Sequence, residues 1–213
     1  MKAALVQQAS GHYAAILSAM IPWHLKYCQH HNIIYLPTFG NIVESRHPNW
    51  SRFPLLIETL RAGFADIVVW LDSDCVIADP HTSLLDAADE FMLLGAVAHP
   101  DPWGDMGFHY NMGAMYLRNT PRTIKFLEAV HKSGKIEGEQ WENQGTILRI
   151  AETMKFPICR IRNRWNSTPA YNDCPSPVVR SFHGGDNLRI KTAEQMQSEL
   201  EAIAGVNLRT AYT

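Results

Sequence analysis

Five consecutive apolar residues, Ile67-Val68-Val69-Trp70-Leu71, run straight into Asp72-Ser73-Asp74. An unbroken, β-favouring run of this length fits a strand covered on both faces, as in the parallel sheets of α/β proteins. Parallel neighbours need crossover connections, so the rest of the chain is expected to alternate strands with helices. Two acids at the end of such a strand mark the carboxyl edge of the sheet, where open α/β folds bind their ligands.

The surrounding pattern agrees. Residues 2–8 predict a first strand, and Tyr13 to His31 carries Ile16, Leu17, Met20, Ile21 and Leu25 at helical spacing, with Pro22 as a kink. Ile33–Leu36 predicts a second strand closed by Pro37 and Gly40, and Leu55–Arg61 a helix ending at Gly63. Phe91–Ala98 and Asn111–Leu117 predict strands. Thr120 and Pro121 open a helix that Gly134 ends, Glu139–Ile150 reads as helical, and Pro157–Ile161 and Val178–Phe182 as extended. Thr192 with Gln195 forms a capping box for a last helix, expected to stop at Gly205. Two loops rich in Pro, Gly and Trp, 99–110 and 163–177, are placed to carry function. With 213 residues and no repeat or linker, the expectation is one α/β domain.

Nineteen Lys and Arg against 21 Asp and Glu leave a formal net charge of -2, which gives no broad electrostatic case for nucleic acid or anionic membrane. The longest apolar runs fall far short of the roughly 20 residues that span a bilayer. The opening MKAALVQQASGHY is too short in apolar length for a secretory leader, so a soluble cytoplasmic protein is expected. Cys28, Cys75, Cys159 and Cys174 form no C-x-x-C pair and are expected to be reduced thiols.

In an extended backbone residues i and i+2 share a face, so Asp72 and Asp74 can point to one spot. Two adjacent carboxylates repel unless a proton or a cation lies between them, and hard oxygen ligands suit Mg²⁺ or Mn²⁺. A cation so held neutralises the charge on a departing nucleotide diphosphate. The competing reading is that the acids merely end the strand and cap the turn before Pro80. Two enzyme classes place D-x-D after an apolar strand. Haloacid dehalogenase-like phosphatases use the first Asp (here Asp72) as nucleophile, and Val76 fits their motif. They need it near the start of the domain, however, and Ile190 stands where a second acid should follow Gly185-Asp186. Nucleotide-sugar glycosyltransferases of the GT-A fold carry D-x-D midway along the chain, as here.

From Trp50 to Asp79, WSRFPLLIETLRAGFADIVVWLDSDCVIAD, the chain resembles the fungal and plant galactosyl/xylosyl/mannosyltransferase family, whose members read W-x-K, helix, apolar strand, D-x-D. Asn111-Met112-Gly113 resembles the family's N-x-G strand, EQWENQGTIL (139–148) its acidic/Gln segment, and Phe182-His183-Gly184-Gly185 its terminal H-x-x-G region. The resemblance implies a GT-A, Rossmann-like, mixed and mostly parallel sheet, with a nucleotide-binding half at 1–79 and an acceptor and metal-completing half at 80–213. It implies a retaining, α-linking transferase. Asp72, Asp74 and His183 would hold Mn²⁺ or Mg²⁺. Gln7, Gln8 and Ala9 would cradle the nucleotide, with Asp72, Ser73, Gly184 and Gly185 near ribose and phosphate. Arg52, where the family has Lys, would meet a phosphate, and Asn111 with Gly113 would face the sugar or acceptor. Gln144 would lie by the anomeric carbon beside Asn143 and Glu142; Asn143 stands where the family more often has Asp. The implied donor is a nucleotide-diphosphate sugar, and the acceptor a glycan, a small molecule or a modified nucleobase. A sugar- or nucleotide-binding module without turnover is the non-enzymatic alternative.

Outside these motifs, Arg160, Arg162 and Arg164 alternate along an extended run and are expected to be a solvated strand edge. Trp103 and Trp165 are candidates for stacking on a sugar or for local core. His30-His31 is expected to be helix-end surface.

Overall fold

The computed structural model describes residues 1–100, 107–135, 142–183 and 189–211, with the side chains of residues 142 and 206–211 outside that description. In chain order the elements are β1 (Ala3–Ala9), α1 (Tyr13–His30), β2 (Ile33–Phe39), α2 (Arg52–Arg61), β3 (Ile67–Leu71) and β4 (Cys75–Ile77). There follow β5 (Leu94–Pro100), β6 (Phe108–Arg118), α3 (Pro121–Ser133), α4 (Glu142–Thr153), β7 (Ile158–Ile161), β8 (Val179–Ser181) and α5 (Ala193–Ala211).

Among the described residues, six strands form one sheet in the order β2-β1-β3-β6-β5-β7. β6 runs antiparallel to both its neighbours, while β1 pairs parallel with β2 and β3, and β5 parallel with β7. This is the mixed, mostly parallel α/β sheet that the sequence predicts. Every residue of β1 and β3 is buried. Their side chains alternate between two cores: Leu5, Val69 and Leu71 pack with Tyr27 on one face, and Val6, Val68 and Trp70 with Phe53, Leu56 and Phe126 on the other. Burial on both faces is why the run at 67–71 shows no polar alternation.

β4 and β8 form a separate two-stranded sheet with Cys75 opposite Ser181. A third apolar cluster fastens it: Val76 and Phe182 pack with Ile16, Leu17 and Met20 of α1 and with Met196 and Leu200 of α5. This small sheet carries the far end of the chain back to the carboxyl edge of β3.

Several boundaries differ from the sequence reading. β2 continues through Pro37 to Phe39, because it is an edge strand, where a missing N–H costs no ladder bond. α2 starts at Arg52, three residues early. β5 begins at Leu94 rather than Phe91, because Leu84–Glu90 coils into a 3-10 segment. Both predicted caps form: Thr120 Oγ1 accepts from Thr123 N–H at 3.1 Å, and Thr192 Oγ1 from Gln195 N–H at 3.2 Å. α5 does not stop at Gly205 but runs on to Ala211, since a lone Gly costs a helix only about 1 kcal/mol. The four cysteines are free, and among the described residues no helix is long and apolar enough to cross a membrane.

Candidate active site

The acidic turn is fixed by the sheet beneath it. Asp72 N–H donates to Gly113 O at 2.7 Å, which extends the β3–β6 ladder by one residue, and Cys75 N–H closes the turn on Asp72 O at 3.0 Å. Asp72 Oδ1 then accepts from Trp70 Nε1 at 2.7 Å and from Arg52 Nη2 at 3.0 Å. Arg52 is itself buried and donates to Met112 O (2.8 Å) and Asn49 O (3.1 Å), with its guanidinium 5.2 Å from the Trp70 ring centre. Where the sequence suggested a phosphate contact, Arg52 is engaged with protein on all three nitrogens. It holds the first carboxylate in place.

Asp74 sits at the base of the cleft, enclosed by protein but still reached by solvent. Burial, and next the neighbouring charge of Asp72, raise its pKa well above the usual carboxylate range; Arg189 and Arg52 only partly oppose them.

β6 supplies the opposite wall. Asn111 Oδ1 accepts from Gly113 N–H at 2.7 Å, which turns its Nδ2 toward His183 Nε2 at 2.9 Å. At Gly113 a Cβ would lie 3.0 Å from Asn111 Oδ1 and 3.2 Å from Asp72 Oδ2, so only glycine lets these two side chains come so close. Behind them His99, fully buried, stacks on His183 with ring centres 5.5 Å apart and planes 10° off parallel. Tyr171 packs beside both rings. Burial pushes His99 down to about 3, reinforced by His183 and His109. Burial also lowers His183, against the pull of Asp72. Both imidazoles are neutral lone-pair donors near pH 7.

Gln144 Oε1 accepts from Met112 N–H at 3.3 Å, and buried Asn143 donates to Asn49 O at 2.8 Å. Glu142 opens α4, but its side chain lies outside the described residues, as do Gly184, Gly185 and Trp103.

Two adjoining cavities meet over the acids. The first, about 270 Å³, is lined by Gln8, Ala9, Ser73 and Asp74. The second, about 430 Å³, is lined by Asn111, Gly113, Asn143, Gln144, Tyr171 and His183. Asn49, Arg52, Asp72 and Arg189 wall both. One cleft thus gathers most of the residues singled out in the sequence. Gln7 is the exception: it is fully buried beneath the turn. Its Oε1 accepts from Tyr35 and from His24 Nδ1, and its Nε2 donates to Asp72 O at 3.3 Å. It supports the acid turn from below and lines neither cavity.

Asp72, Asp74 and His183 are of the chemical types that suit a divalent cation, two carboxylates and an imidazole, although both ring nitrogens of His183 already face protein partners. Among the described residues, however, no three His, Cys, Asp or Glu side chains converge closely enough to hold a metal ion. Sequence reasoning missed Asn49, His99, Tyr171, Ser181 and Arg189, none of which belongs to a local motif. Arg189 bonds the Tyr13 hydroxyl and is brought to the cleft by the fold alone. The arginine series lies elsewhere: Arg160, on edge strand β7, covers Phe108, and Arg162, just past the strand's end, pairs with Glu90. Trp165 is core, with its Nε1 on Glu90 Oε1 at 2.7 Å. His30 is exposed at the helix end as expected, while half-buried His31 is tied by Nε2 to Pro80 O at 2.8 Å.

No protein-family model matches the chain, and no curated protein matches it in sequence. Solved structures do match in fold. A glycosyltransferase involved in glycosylation of the major capsid of PBCV-1 superposes with a TM-score of 0.73 at 11% identity, over 95% of this chain and 100% of that one. The galactosyltransferase LgtC, in complex with donor and acceptor sugar analogues, gives 0.53 at 16% identity, over 95% of both chains. Apo GlyE of Streptococcus pneumoniae TIGR4 gives 0.57 at 14%, over 99% of this chain but 64% of its own. The fold, a mixed and mostly parallel sheet flanked by helices, is the GT-A fold of these glycosyltransferase structures.

Proposed function

We propose that this protein is a glycosyltransferase that moves a sugar from a nucleotide-diphosphate sugar to an acceptor hydroxyl. One observation carries the reading. Asp72 and Asp74 meet at the carboxyl end of β3, over a two-part cleft that also holds Gln144 and His183, within a fold matched by glycosyltransferases along nearly its whole length.

In this reading the cavity beside Gln8 and Ala9 takes the nucleotide, and the cavity beside Asn111 and Gln144 takes the sugar and the acceptor. Mn²⁺ or Mg²⁺ held by Asp72, Asp74 and His183 would supply charge neutralisation at the diphosphate. Arg52 and Trp70 keep Asp72 oriented toward the cleft. The raised proton affinity of Asp74 favours a cation over an empty pair of charges.

Transfer with retention of configuration fits the lining of the second cavity. Asp72 is the only carboxylate among its described lining residues, and its Oδ1 is already held by Arg52 and Trp70. With no free carboxylate among those described lining residues to act as a nucleophile, front-face attack by the acceptor is the simplest route. The acceptor's proton passes to the departing diphosphate, and the Gln144 carboxamide faces the cationic centre. The acceptor is a glycan, a small molecule or a modified nucleobase. LgtC, which shares this fold, is in complex with donor and acceptor sugar analogues, which supports a cleft that takes both a donor and an acceptor.

The test is release of nucleotide diphosphate from a panel of nucleotide sugars with Mn²⁺ present. One donor should turn over, and Asp74→Asn should lower its rate at least 100-fold while the protein stays folded. Turnover of phosphate monoesters with all donors left intact would overturn the reading.

A further inference from the structure

Beneath the acid turn, Gln7 of β1 and His24 of α1 both lie with no solvent exposure. A carboxamide and an imidazole are tolerated at such a depth only where their bonds are satisfied, so the direction in which those bonds run shows what the pair supports.

The bonds form one line of fixed polarity. The backbone N–H of Ile77, in β4, donates to His24 Nε2 at 3.2 Å. A nitrogen that accepts carries no proton, and burial lowers the His24 pKa to about 3, so the ring is neutral at pH 7. Its one proton is therefore on Nδ1, which donates to Gln7 Oε1 at 2.7 Å. The Tyr35 hydroxyl donates to the same oxygen at 2.8 Å. That leaves the amide nitrogen facing the turn, where Nε2 donates to Asp72 O at 3.3 Å. Turning the amide over would set its NH₂ against the His24 N–H and its oxygen against the Asp72 carbonyl.

This line grips the acid segment at both ends. Asp72 O and Ile77 N–H flank Ser73 to Val76, and the turn's own bond, from Cys75 N–H to Asp72 O, closes only the first part of that stretch. The line also ties two walls of the first cavity together. Gln8 and Ala9, which follow Gln7, form one wall, and Asp72, Ser73 and Asp74 form another. The β1–β3 ladder reaches only to Val6 opposite Trp70. The Gln7 carboxamide bridges the two strands just beyond that last pair.

We propose that His24, acting through Gln7, is a positioning residue for the donor site: it sets the spacing between the end of β1 and the acid turn, and with it the width of the first cavity. The inference rests on the reading of that cavity as the nucleotide site, and not on how charge at the diphosphate is neutralised.

Wild type, His24→Phe and His24→Asn test it. Phenylalanine keeps the bulk of the ring and loses both bonds. Asparagine loses the bond to Ile77 but keeps an N–H where Nδ1 stands, aimed at Gln7. UDP, GDP, CDP and ADP are titrated into each by calorimetry with Mn²⁺ present, well below the lowest melting midpoint, where a merely structural role leaves affinity unchanged in both variants. The diphosphate that binds wild type should bind His24→Phe about 10-fold more weakly, the net effect of one hydrogen bond, and should bind His24→Asn as it binds wild type. Nitrogen-15 NMR of the wild type, which needs no variant, should show His24 as the neutral Nδ1–H form. Equal affinity in wild type and His24→Phe, an equal loss in both variants, or an Nε2–H form in the wild type overturns the role of His24 and leaves the nucleotide site in place. A wild type that binds none of the four diphosphates overturns the nucleotide reading itself, and the role with it.

Discussion

Gly113 shows how closely the site is packed at the scale of single residues. Alanine there would push against Asn111 Oδ1 and Asp72 Oδ2, both fixed by further bonds. Gly113→Ala is expected to cost about 1–3 kcal/mol of stability and at least 10-fold in donor turnover. A thermal melt and an initial-rate assay check the two effects. Arg52→Lys keeps the charge but loses the fork that serves Asn49 O, Met112 O and Asp72 together. It is expected to lower the melting midpoint by several degrees and to weaken donor binding, measured by calorimetry. Asp72, Asp74, Asn111, Gly113 and Gln144 were legible in the sequence because each lies in a short motif tied to one strand or helix. His99 and Arg189 were not, because what matters about them is a tertiary contact across 12 or more residues. Gln7 was placed in the cleft with Gln8 and Ala9, but its carboxamide is held beneath the acid turn by Tyr35, His24 and Asp72 O.

Among the elements, strands buried on both faces were the easiest to read, since their apolar runs have no competing pattern. β3 matches its expected bounds, Ile67–Leu71. The ends of α2 and β5 were harder, because the 3-10 turns Pro48–Ser51 and Leu84–Glu90 carry no distinct periodicity. The capping box of α5 was legible, but its length was not: Gly205 was read as a stop, and the helix continues past it. Because α5 packs Met196 and Leu200 against Phe182 of the H-x-x-G segment, its first turn matters to the site as well as to the fold. Thr192→Ala is expected to cost about 1 kcal/mol, or roughly 2–4 °C in melting midpoint for a chain of this size. It should leave the midpoint of Gly113→Ala additive with its own, which a double mutant checks.

Over the whole molecule, buried neutral histidines tie stability to pH. His24 and His99 are each pushed down to about 3 by burial, so the stability they contribute is complete above the unfolded value of about 6.5. It is lost as pH falls through that window toward 3, at up to about 1.4 kcal/mol per pH unit for each. Asp74 runs the other way: its raised pKa means that it destabilises the metal-free fold as pH rises and returns that stability on acidification. Two histidines outweigh one carboxylate, so the urea midpoint of the metal-free protein should fall between pH 6.5 and pH 4; a midpoint that rises on acidification would contradict the buried neutral histidines.

The central claim, that the acid turn anchors a nucleotide-diphosphate sugar through a cation, is tested most directly by melting the protein with a panel of nucleotide sugars, with Mn²⁺ or with chelator. The account predicts that one donor raises the midpoint in Mn²⁺ and not in chelator, and that Asp74→Asn removes the rise. A donor-induced rise that is identical in chelator and in Asp74→Asn would contradict it.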